Sequence, residues 1–124
     1  MKIMMDGSTP IYVQIAERIE DEILTGALVE GEQVPSTNQF AQFFQINPAT
    51  AGKGINLLVD QGILYKRRGI GMFVAAGAKK QIIEKRKKHF SKTFLIPMMK
   101  EAVKLGIPLG DIKGMLDDIK EEEA

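Results

Sequence analysis

Residues 47–74 read NPATAGKGINLLVDQGILYKRRGIGMFV. Asn47 is a good N-cap and Pro48 suits the first helical position, so a helix is expected from here to about Gln61. Ala51, Ile55, Leu58 and Val59 form its buried face, and Gly62 stops it. Two short β-prone runs follow, Ile63-Leu64-Tyr65 and Met72-Phe73-Val74, around a basic turn, Lys66–Gly71. A helix running straight into a small basic hairpin is the pattern of a winged helix-turn-helix. In that arrangement the helix enters a DNA groove and the hairpin straddles the neighbouring phosphates.

The preceding chain supplies the rest of such a domain. Thr9 as cap and Pro10 at the first position predict a helix whose apolar stripe is Ile11, Ile15, Ile19 and Ile23, with Tyr12 and Ala16 alongside. Thr25-Gly26 ends it. Leu28 and Val34, either side of Gly31, predict a short extended link packed on the core. Ser36-Thr37-Asn38-Gln39 has capping-box form. It opens a short second helix holding Phe40, Ala41, Phe43 and Phe44. The winged helix-turn-helix thus spans residues 9–75, and residues 1–8, without periodicity, are expected to be mobile.

From Ala75 the pattern changes. Ala75–Ala78 is a small-residue segment expected to act as a hinge. A helical stretch should follow from about Lys79 to Leu105, kinked at Pro97. Gly106-Ile107-Pro108 breaks the chain before a last helix, about Leu109 to Glu122, whose acidic end should fray. The fold class is therefore mainly α with a small β-hairpin: an N-terminal winged helix-turn-helix and, over residues 76–124, a C-terminal α-helical dimerisation tail. Phe90, Phe94, Met98, Met99, Val103, Ile112, Met115, Leu116 and Ile119 are more apolar area than two helices can hide between themselves. These residues are the expected interface of a homodimer.

Composition sets the limits. The 124 residues suit one domain with an appendage, and leave no room for a full-sized ligand-sensing domain as well. No apolar run approaches the roughly 18 residues of a membrane span, and the first residues have no export signal, so a cytoplasmic protein is expected. With no cysteine there are no disulfides or thiolate metal sites. The lone His89 has no ligand or catalytic partner at a telling spacing, so neither metal, cofactor nor enzymatic activity is expected. Net charge is only +1, but its distribution is uneven. Acids crowd into the first third, whereas from Lys53 to Val74 Asp60 is the only acid. One basic face on a near-neutral chain suits a polyanion.

The expected DNA-contacting residues are Ser36, Thr37 and Asn38 at the start of the second helix, and Asn47, Pro48, Ala49, Thr50 and Lys53 on the third. Lys66, Arg67, Arg68, Gly69 and Gly71 complete the set on the hairpin. Ser36 and Thr50 can hydrogen-bond phosphate, while Lys53 can reach a phosphate or a guanine edge. Gly69 and Gly71 allow close approach to a backbone. The Lys79–Lys88 run reads either as a solvated face or as an outer phosphate contact.

Several motifs occur together in order: Pro10-Ile11-Tyr12-x-Gln14-Ile15, Gly26-x-Leu28-x-x-Gly31, Val34-Pro35-Ser36, Asn47-Pro48-x-Thr50, Gly62-Ile63-Leu64 and Arg67-Arg68-Gly69-x-Gly71-x-Phe73-Val74. Over residues 9–75 they resemble the GntR family, and the short tail resembles its YtrA-like subfamily. The resemblance implies a bacterial transcription regulator, often a repressor, dimerised by a pair of C-terminal helices and bound to double-stranded DNA. A small-molecule effector is compatible with it. The resemblance also implies an arginine where this chain has Asn38, and Ala-Tyr where it has Gly54-Ile55. Gly52 and Gly54 each cost the recognition helix about 1 kcal/mol relative to alanine. They suggest a loosely held helix or a backbone lying very close to the duplex. The alternative function is a winged helix turned protein-interaction module.

Overall fold

The structure, a computed structural model, describes residues 9–123; the mobile segment expected over residues 1–8 lies outside them. The elements run α1 (Ile11–Thr25), α2 (Thr37–Phe44), α3 (Pro48–Asp60), β1 (Leu64–Arg67), β2 (Gly71–Val74), α4 (Ala78–Phe90), a π-helical segment (Ser91–Leu95), α5 (Ile96–Leu105) and α6 (Leu109–Glu123). The chain divides into two compact units, the first ending at Glu84 and the second beginning at Lys85.

In the first unit the four-residue spacing of α1 buries Ile15, Ile19 and Ile23 together with Ala16. The helix starts one residue later than expected. Pro10, not Thr9, is the N-cap, with extended backbone and no side-chain cap bond. Its carbonyl accepts from the Val13 and Gln14 amides, while the Gln14 side chain ties back to the Thr9 carbonyl at 3.0 Å. Helix α1 packs on α3, and α2 packs on α3 as well. Ala51, Ile55 and Leu58 of α3 and Phe40 and Ala41 of α2 close the core with Ile63, Leu64 and Val74. Val59, expected in the buried face of α3, is only partly buried, and Phe43 of α2 is 73% exposed.

The link after α1 does more than pack. Leu28 and Val34 are buried as expected. In addition Gln33 forms an antiparallel bridge with Phe73. The Gly31 amide donates to Val74 O, the Val34 amide to Met72 O, and the Val74 amide to Glu32 O. The segment therefore completes the hairpin as a third, irregular strand, which a two-stranded ribbon needs for stability.

Ala75–Ala78 is not a free hinge. The Ala75 amide donates to Ile63 O at 2.9 Å, Ala78 donates to Ala75 O, and Ala78 is fully buried with Ile82 in the first unit's core. The Gln81 side chain also donates to the Gln61 carbonyl. The first turn of α4 thus belongs to the winged-helix unit, and the two units part inside α4.

In the second unit the expected kink at Pro97 takes another form. An α-register would set the proline ring against the Thr93 carbonyl and leave that carbonyl without a donor. Instead the register slips just ahead of Pro97: the Ile96 amide donates to Ser91 O, five residues back, and α5 then starts afresh with Pro97 in its first turn. Gly106, at φ 68°, ends α5 in the left-handed conformation, and the Ile107 amide returns to Ala102 O. Helix α6 continues to Glu123, one residue beyond expectation. Among the described residues of this unit only Ala102 and Ile112 are buried.

Candidate nucleic-acid interface

Three segments carry the expected DNA-contacting residues: the start of α2, the start and outer face of α3, and the hairpin. At α2 the capping box is complete. The Gln39 amide donates to Ser36 Oγ at 3.1 Å and the Ser36 amide donates to Gln39 Oε1 at 2.7 Å. The hydroxyl accepts in this cap, so its own proton remains a donor for an outside oxygen. Capping and phosphate binding are therefore compatible at Ser36. Thr37 is half-buried and Asn38 is exposed. Replacing Ser36 by alanine removes the cap at a cost of about 1 kcal/mol. A urea midpoint indistinguishable from the wild type would show that the cap does not hold α2.

Gln45, at φ 55°, carries the turn between α2 and α3, and its amide returns to Ala41 O and Gln42 O. A side chain at positive φ is uncommon. Asn47 then caps α3 through its Oδ1, which accepts from the Ala49 amide at 2.7 Å. Asn47, Pro48, Ala49, Lys53 and Asn56 are exposed, and Thr50 and Gly52 are partly so. The open N-terminal amides of α3 add a partial positive charge beside them.

Gly54 corrects the expectation. It is buried, not on the reading face. A Cβ there would lie 2.6 Å from the Tyr12 carbonyl oxygen and 3.1 Å from Ile15 Cβ. The glycine is therefore required by the close crossing of α1 and α3, not by DNA. Gly52 is different: its nearest neighbour is Thr37 Cγ2 at an ordinary 3.5 Å.

In the hairpin, Lys66 and Arg67 lie in β1 rather than in the turn, paired with Met72 and Gly71. The turn is tighter than expected, closed by the Ile70 amide donating to Arg67 O at 2.9 Å, with Gly69 at φ 76°. Alternation puts Leu64 and Val74 on the core side, and Tyr65, Phe73 and Arg67 on the other. Tyr65 stacks on Phe73 (centroids 5.7 Å apart), and the Arg67 guanidinium lies 5.3 Å from the Phe73 ring centroid. Lys66, Arg67, Arg68 and Gly69 are all exposed.

Sequence reasoning missed two supporting residues. Gln33 Nε2 donates to the Ile70 carbonyl at 3.0 Å across the turn, and a Cβ on Gly71 would sit 2.5 Å from that nitrogen. Gly71 thus makes room for the side chain that holds the turn. The sequence pattern places Tyr12 only beside the apolar stripe, but its ring lies under Lys53, with Nζ 4.2 Å from the centroid. Nothing local marks Gln33. Tyr12 is visible in the Pro10-Ile11-Tyr12 motif, though without a role.

Residues 11–74 match the sequence profile of the gntR family of bacterial regulatory proteins. The chain belongs to the GntR family. The HTH-type transcriptional repressor YtrA of Bacillus subtilis (strain 168) is 33% identical over 78 residues, 63% of this chain; the chain covers 60% of YtrA, less than two thirds of that relative. A GntR-family protein from Bacteroides thetaiotaomicron has a crystal structure with TM-score 0.80 and 35% identity, covering 92% of this chain and 99% of that one. The DNA-binding domain of AraR in complex with operator ORE1 matches with TM-score 0.52 and 37% identity over 54% of this chain and 82% of that one. These relatives are transcription regulators, and the AraR domain that matches the first unit is held on its operator DNA. Among the described residues no group of acids and histidines could hold a metal ion, and no helix is long and apolar enough to cross a membrane.

The tail residues expected at a dimer interface are mostly open. Phe90, Phe94, Met99, Val103, Met115, Leu116 and Ile119 are exposed, Met98 is half-buried, and Ile112 is buried within the chain. Leu95, Ile96, Leu105 and Leu109, not anticipated, are exposed beside them. Phe90 and Phe94 pack ring against ring at 5.6 Å. An apolar concavity of about 290 Å³ between α5 and α6 is lined by Met98, Leu105, Met115, Leu116 and Ile119 among others.

Proposed function

We propose that this chain is a cytoplasmic bacterial repressor that binds a near-palindromic operator as a homodimer. The third helix reads the major groove with Thr50 and Lys53. Ser36, Thr37, Asn38 and Asn47 take phosphates around it, and the hairpin lays Lys66, Arg67 and Arg68 along the adjacent backbone. The observation that carries the reading is the convergence of a capped, exposed α3 start with a side-chain-pinned basic hairpin in one packed unit.

The second unit supports the dimer. Helices α5 and α6 leave large apolar side chains in water and bury only Ala102 and Ile112 between them. A second copy covering that face supplies the core this unit lacks. Two-fold pairing then presents two copies of α3 to successive grooves.

Fluorescence titration of duplex DNA against salt tests the DNA reading, because phosphate-driven binding weakens steeply and log-linearly as salt rises. Binding insensitive to salt would favour the protein-interaction module instead. Sedimentation velocity tests the dimer: a monomer at micromolar concentration would exclude it. Val103→Glu, on an exposed α5 position, should yield that monomer while leaving the winged helix folded.

A further inference from the structure

Two contacts converge on Tyr12. Its carbonyl lies against Gly54, where any Cβ would clash, and its ring lies under the Lys53 ammonium at 4.2 Å. Gly54 lets α1 approach α3 closely enough for the ring to reach the neighbouring lysine. Among the described residues Lys53 forms no ion pair, although Asp60 lines the same open concavity of about 580 Å³ on the outer side of α3. Among the described residues the Tyr12 ring is the contact made by this charge. A free lysine sweeps its ammonium over many positions on a flexible four-carbon stem. A lysine resting on an aromatic face presents it at one.

We propose that Tyr12 is a specificity-positioning residue: its ring fixes the Lys53 ammonium along the reading face of α3 and so selects which base step Lys53 reads. This rests on the DNA-binding reading above. Tyr12 acts through Lys53, and the alternative is a plain packing role in α1.

The test uses the full chain as wild type, Tyr12→Phe, Tyr12→Leu, Lys53→Ala and the Tyr12→Leu/Lys53→Ala double variant. In the free protein, NMR should show the Lys53 side-chain methylenes shifted upfield by the ring in wild type and Tyr12→Phe, and unshifted in Tyr12→Leu. On the duplex the wild type enriches from a random pool, Tyr12→Leu should bind about two- to fivefold more weakly, the size of an exposed cation–π contact. Tyr12→Phe should bind like wild type. Tyr12→Leu should relax preference at the same base pairs as Lys53→Ala, and the double variant should bind no more weakly than Lys53→Ala alone. Additive losses, or a Tyr12→Leu that weakens all duplexes alike, mark lost packing and overturn the proposal. A wild type that enriches no duplex overturns the DNA-binding reading and this proposal with it. A wild type that enriches one while Tyr12→Leu keeps its preference overturns this proposal alone.

Discussion

Gly54→Ala destabilises the winged helix, and Gly52→Ala stabilises it. Both positions sit inside α3, and both gain about 1 kcal/mol of helix propensity on gaining a methyl group. What decides the sign is the neighbour. At Gly54 the new Cβ would meet the Tyr12 carbonyl oxygen at 2.6 Å, with Ile15 Cβ and Cγ2 both at 3.1 Å. The first is backbone of a packed helix, and Ile15 is fully buried, so neither can swing aside. Overpacking of this kind costs about 1–3 kcal/mol, which outweighs the propensity gain. At Gly52 the methyl group meets only Thr37 Cγ2 at 3.5 Å, so the propensity gain stands. Thermal melts should separate the two variants on opposite sides of the wild type, by several degrees for roughly each kcal/mol in a domain of this size. A Gly54→Ala protein that melts above the wild type would mean that α1 and α3 do not cross as closely as described.

Removing the two wing arginines together, Arg67→Ala with Arg68→Ala, lowers affinity for every duplex by about a hundredfold or more, since hydrogen bonds to charged groups contribute roughly 1.5–3 kcal/mol each when made. Both residues are exposed, so the fold has little to lose. Arg67 leans on Phe73, which pre-orders its guanidinium and makes it the costlier of the two to lose. Phosphate contacts carry no sequence information, so the loss should be uniform across sequences. The slope of log affinity against log salt should also become shallower by about 0.9 for each phosphate no longer neutralised. Lys53→Ala behaves differently: it changes the ranking of sequences as well as the affinity. An arginine-free wing that binds as tightly as wild type, with the same salt slope, would remove the hairpin from the interface.

The parts of this fold written locally were legible in the sequence. The stripe of Ile15, Ile19 and Ile23, the capping box at Ser36 and the Asn47 cap each depend on residues within a turn or two of one another. They placed α1, α2 and α3 to within a residue or so, while the hairpin's first strand runs two residues further into the expected turn. What the sequence hid depends on distant contacts. Gly54 looked like a defect on the reading face because the backbone it touches belongs to α1. Gln33 gave no sign of holding a turn 37 residues away. Ala75–Ala78 read as a hinge because small residues carry no apolar pattern, yet Ala78 is small so that α4 can seat against the core. At Pro97 the sequence announced a disturbance, but not that a slipped register would absorb it. The candidate DNA-contacting residues were legible as a set from the caps and the charge pattern. Their support, Tyr12 beneath Lys53 and Phe73 beneath Arg67, was not.

Selection of random duplexes by the wild-type chain at low salt, followed by sequencing, tests dimeric operator recognition most directly. The expected result is an inverted repeat whose half-sites lie about 10 base pairs apart, or a multiple of that, as two copies of α3 on one face of the duplex require. Enrichment of a single asymmetric half-site would contradict the dimer, and no enrichment at all would contradict DNA recognition itself.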